Sequence, residues 1–187
     1  VFVGARSASV STSDLGSESL DTLVERALAM AREAPEDKWA GLAPEARLLH
    51  GRPPLLDLDD GAEVEPQALK ARALAAEEAA RAVPGVTNSE GGSAGASRSI
   101  MALATSHGFA NAYAQTSHGV SASVLAGTGG GMERDHAHHS ARYASMLEAP
   151  EIVGRLAGER AVARLHPQEI ASGAMAGVVE RRVGSGP

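Results

Sequence analysis

The chain has 187 residues, 17 basic and 23 acidic side chains, a formal net charge of −6, no cysteine and only 3% aromatic residues. That length suits one domain or a small pair. The acidic balance and the lack of a Lys/Arg run argue against nucleic acid, and zero Cys excludes disulfides, thiolate catalysis and Cys-ligated zinc or iron–sulfur centres.

With so few rings and 21 glycines, the core is expected to rest on Ala, Leu and Val packed at short distances. No run approaches the roughly 20 apolar residues of a bilayer span, and no charged n-region with an apolar h-region opens the chain. No membrane partner is expected, and the chain reads as soluble and cytoplasmic. Val1 to Ser13 alternates small polar and apolar residues, as an edge strand or hairpin does. Because Val1–Val3 reads as mid-strand and Gly184, Ser185, Gly186 and Pro187 follow an apolar, strand-like run, a piece of a longer protein is expected.

Ser17 begins a helix: Ser17 or Ser19 can cap it, Glu18 and Asp21 suit its positive end, and Leu20, Leu23, Val24, Ala27, Leu28 and Ala31 recur at helical spacing up to Pro35. Pro35 to Pro66, with the single Trp39, reads as a long ordered connection with a short extended piece near Leu55–Leu58. Gln67 to Val83 is helical again, ended by Pro84 and Gly85.

Short strands are expected over Val86–Ser89, Ser97–Ser106 and Phe109–Leu125, with Ser89-Glu90-Gly91-Gly92 as a turn. The tetrapeptide at Thr105–Gly108 recurs at Thr116–Gly119 and reads as one turn used twice. Ala126–Gly131 is a Gly-rich hairpin tip, a His-rich segment follows from Met132 to Ser145, and Glu148 to Arg164 is a third helix with Pro150 in its first turn. The order implies an α+β fold, helices packed on a mostly antiparallel, Gly/Ala-rich β-sheet, in two regions: 1–84, with its Pro-rich connection, and 85–187, with the meander, the Gly-rich turn and the third helix.

Asp135, His136, His138 and His139 are the weak candidates for a metal site, because imidazole and carboxylate bind zinc or nickel without thiols. Their spacing argues for no metal here: on a strand His136 and His138 share a face that His139 leaves, and on a helix only Asp135 and His139 align. A zincin helix needs Glu directly after His, and no His-Glu pair occurs; Pro167 breaks the nearest arrangement, His166 to Glu169. Gly119–Ser123 lacks the second Gly of a nucleophile elbow, and Gly127–Gly131 lacks the Lys of a phosphate loop. No catalytic and no cofactor-binding residue is assigned.

Several segments in order resemble the TldD/PmbA family, once described as modulators of DNA gyrase and now understood as peptidases. They are Val1–Gly4 with Ser11–Leu15, Ala29–Ala31 with Ala34–Asp37, Glu77–Arg81, Gly85–Gly91, Ala104–Phe109, Met132–Asp135 and Gly158–Leu165. The likeness is nearer to the PmbA/TldE branch and to the N-terminal half of such proteins. It implies a noncatalytic subunit of a heterodimeric metalloprotease that cuts unfolded peptides. The zinc would sit in a TldD-type partner, on an HExxxH helix, and this segment would not be catalytic alone. Two alternatives stay open: a truncated TldD-type subunit whose metal motif lies further on, and a noncatalytic binding or regulatory module acting on gyrase.

Overall fold

The structure, a computed structural model, describes residues 1–169, 171–174 and 176–178. The closing Gly184–Pro187 lie outside the described residues. The chain forms two compact units, Val1–Leu55 and Leu56–Pro187.

In the first unit, strands β1 (Phe2–Val3) and β2 (Arg6–Ser7) make a small antiparallel hairpin, as the alternation predicts, and helix α1 spans Ser17–Glu33. Neither serine caps it. Gly16 occupies the cap position, and Asp14 accepts hydrogen bonds from the Gly16 amide at 2.9 Å and the Ser19 hydroxyl at 2.5 Å. Those bonds hold the Asp14 carboxyl below the usual carboxylate range, the Ser19 hydroxyl contributing most. Ala27 and Ala31, four apart, form the buried stripe of α1.

The second unit contains helix α2 (Pro66–Arg81), strands β3 (Val86–Ala104), β4 (Ala110–Ala126) and β5 (Glu133–Ala141), and helix α3 (Pro150–Ala163). The strands form an antiparallel sheet in the order β3-β4-β5, and α2 and α3 pack on one of its faces. The fold is α+β, as composition and order predict.

The two short strands expected over Val86–Ser106 are one 19-residue strand. Ser89 to Gly92 is no turn; register shifts at Val86/Asn88 and Ser89/Gly91 mark bulges, which absorb the glycines without ending the strand. Gly92 is required for another reason. A Cβ there would sit 2.1 Å from the Ala73 carbonyl oxygen of α2, so only bare backbone lets the helix lie this close to the sheet.

The core is built from methyl-sized groups, among them Ala76, Ala80, Ala122, Ala126, Ala157 and Ala161 with Val120, Val124 and Val153. Such side chains fill little space, so the elements approach until backbones nearly touch. On α3, Gly154 and Gly158 are four apart and face Ala76 and Ala80 of α2. A Cβ on Gly154 would lie 2.0 Å from the Ala76 carbonyl oxygen, and one on Gly158 would lie 2.7 Å from that of Ala80.

On an exposed helix Gly→Ala gains about 1 kcal/mol of propensity. At Gly154 the sign is expected to reverse: Gly154→Ala must push α3 off α2 and lose about 1–3 kcal/mol, as overpacked cores do. Urea unfolding of the two proteins measures the difference, and an equal or higher midpoint for the variant would contradict this packing.

Candidate functional site

From Thr116 onward β4 alternates strictly: Thr116, His118, Val120, Ala122, Val124 and Ala126 are buried on the helix-facing side of the sheet, while the residues between them face outward. The first copy of the repeated tetrapeptide closes the β3–β4 hairpin, the Gly108 amide donating to the Thr105 carbonyl at 3.1 Å. The second copy is no turn. Its Thr116 and His118 fall in phase with the apolar positions of β4 and are carried inward, so the strand's period overrides the tetrapeptide's turn character.

These two buried polar residues are satisfied by a strap, residues 57–62, laid along β4 where β5 stops. The Thr116 amide donates to the Leu58 carbonyl at 2.9 Å, extending the pairing beyond the last β4–β5 partners, His118 and Ala141. The Asp60 amide donates to the Thr116 hydroxyl at 3.0 Å, which in turn donates to the Arg142 carbonyl at 2.7 Å. Asp60 accepts from the Ala144 amide at 2.8 Å, the Ala62 amide at 2.9 Å and His118 Nε2 at 3.0 Å. The Ala144 and Ala62 amides, chiefly, hold its carboxyl down at about 2.

Two further contacts fasten the strap. Arg98 makes a forked contact with Asp59, its Nη2 2.7 Å from Oδ2, which lowers the carboxyl and raises the guanidinium. The Tyr143 hydroxyl donates to the Asp57 carboxylate, and that bond raises the phenol's pKa. Asp57 has left-handed backbone (φ 49), a conformation that Asp tolerates better than bulkier residues.

Thr116, His118 and Asp60 are the residue types of a hydroxyl–imidazole–carboxylate relay, but their geometry is that of an anchor. The hydroxyl is spent on the Arg142 carbonyl, His118 Nδ1 has no hydrogen-bond partner, and the His118 side chain is 0% exposed. Sequence reasoning missed all of these anchoring residues; the signal was present in the period-2 phase of Thr116 and His118 with Val120, Ala122 and Val124.

The four candidate ligands lie on β5. Pairing sets His136 opposite Ser123 and His138 opposite Ser121 on the outer face, where the imidazoles stack with centroids 6.1 Å apart. Asp135 is turned to the helix side; it accepts from the His136 amide at 2.7 Å and lies 3.6 Å from Arg164 Nη1. His139 Nδ1 accepts from the Glu148 amide at 3.2 Å. Zinc or nickel needs three or four convergent ligands. Strand alternation divides these four between two faces, and no group of three metal-binding side chains converges among the described residues. They do not fit a catalytic metal. Outward, Ser93, Gly95, Gly119, Ser121, His138 and Ser140 line a shallow groove whose glycines expose the strand backbone.

Comparison with known proteins follows this architecture. The PmbA/TldA metallopeptidase central domain matches residues 59–165, which begin in the strap and end just past α3. The chain is 36% identical over 173 residues to Metalloprotease PmbA of Escherichia coli O157:H7, covering 92% of this chain and 38% of that protein. It is 31% identical over 173 residues to a Metalloprotease PmbA homolog of Haemophilus influenzae, with the same coverages of 92% and 38%. It therefore spans well under half the length of these relatives. A crystal structure from Bacteroides thetaiotaomicron, of a protein described as a candidate modulator of DNA gyrase, superposes with a TM-score of 0.77 at 25% identity, covering 92% of this chain and 40% of that one. TldE from Thermococcus kodakarensis shares the fold with a TM-score of 0.53 at 20% identity over 79% of this chain and 32% of its own.

The strap generates a pH prediction. An unfolded Asp titrates near pH 3.9, and the folded Asp60 titrates at about 2, so its stabilisation is complete above the first value and is lost as pH falls through the second. Asp60→Asn is expected to lower stability at neutral pH and to flatten the fall in stability between about pH 4 and pH 2. Denaturant midpoints at several pH values test this; parallel curves for the two proteins would contradict the anchoring role.

Proposed function

We propose, from the premise that this chain belongs to the PmbA/TldD metallopeptidase family, that it supplies structure and not the metal to a two-subunit protease. In this reading the chain is part of a PmbA/TldE-type subunit. It shapes the chamber and completes an interface with a TldD-type partner, which holds the catalytic zinc, and the pair cleaves unfolded peptides in the cytoplasm.

The observation that carries the reading is the division of Asp135, His136, His138 and His139 between the two faces of β5. Support for the family role comes from the relatives named Metalloprotease PmbA and from the likeness of fold to a TldE. That none of the helices is long and apolar enough to cross a membrane, among the described residues, agrees with a protein that works in water.

A second reading, a noncatalytic module that regulates DNA gyrase, is favoured by the description of the Bacteroides thetaiotaomicron neighbour. Co-purification separates the two: the first expects a TldD-type protein in the complex, the second expects gyrase.

The purified chain is expected to bind no stoichiometric transition metal and to leave an unfolded peptide intact. Adding the TldD-type subunit should produce hydrolysis that a chelator stops and that His138→Ala in this chain leaves unchanged. Chelator-sensitive cleavage by the chain alone, or one bound metal per chain lost in His138→Ala, would overturn the reading.

A further inference from the structure

We draw no further inference here: the strongest candidate, the shallow groove on the outer face of the sheet where Gly95 of β3 pairs with Gly119 of β4 beside Ser121 and His138, is a stripe of small residues, and nothing in the structure shows what covers it.

Discussion

Everything in the second unit depends on how closely α3 can approach α2, and on how closely α2 can approach the sheet. Gly154 and Gly158 of α3 rest on the carbonyls of Ala76 and Ala80, while Gly92 of β3 lies beneath Ala73. Three missing side chains thus set two interfaces. Dispersion falls off steeply with distance, so a core of methyl groups holds together only when backbones are nearly in contact. Leu or Phe in these places would need a wider spacing, and the register of every other contact would change with it.

The strap is the polar counterpart of that packing. A buried Thr and His on the core side of β4 would each cost free energy if unpaired. Residues 57–62 provide partners for both, and they place a carboxylate where two amides and an imidazole converge. The same residues continue the β4 pairing beyond β5. A segment rich in Asp can therefore be an anchor, and the lowered pKa of Asp60 follows from amides that point at it. On β5, by contrast, the side chains that resemble metal ligands have ordinary duties: Asp135 bonds the next amide and His139 accepts from Glu148.

Much of this was legible in the sequence. Helical spacing and the proline and glycine stops located α1, α2 and α3 to within a few residues, and of the core of Ala, Leu and Val that the scarcity of aromatics suggested, Ala and Val form the buried part while Leu147 and Leu165 pack against it only partly buried. What failed was local punctuation. Ser89–Gly92 has the composition of a turn, yet it runs through β3 because the pull of a neighbouring helix, which no local window contains, needs glycine there. Thr116–Gly119 repeats a true turn at Thr105–Gly108, yet it lies mid-strand. The Asp60–His118 contact joins residues far apart in the chain, and only the inward phase of β4 hinted that His118 would seek a partner. Strand alternation did foretell that His139 would leave the face shared by His136 and His138.

A core made of the smallest side chains also has a one-sided mutational spectrum. In most proteins, random substitution in the interior deletes methylenes and leaves holes, and the damage is graded by the size of the hole. Here Gly154, Gly158 and Gly92 have nothing to delete, and Ala76 and Ala80 have a single methyl. Nearly every codon change at these positions adds atoms. Harmful variants of this unit will be intruders that wedge elements apart, and because the atoms they meet are mainly backbone carbonyls, trimming an opposing side chain makes little room for them.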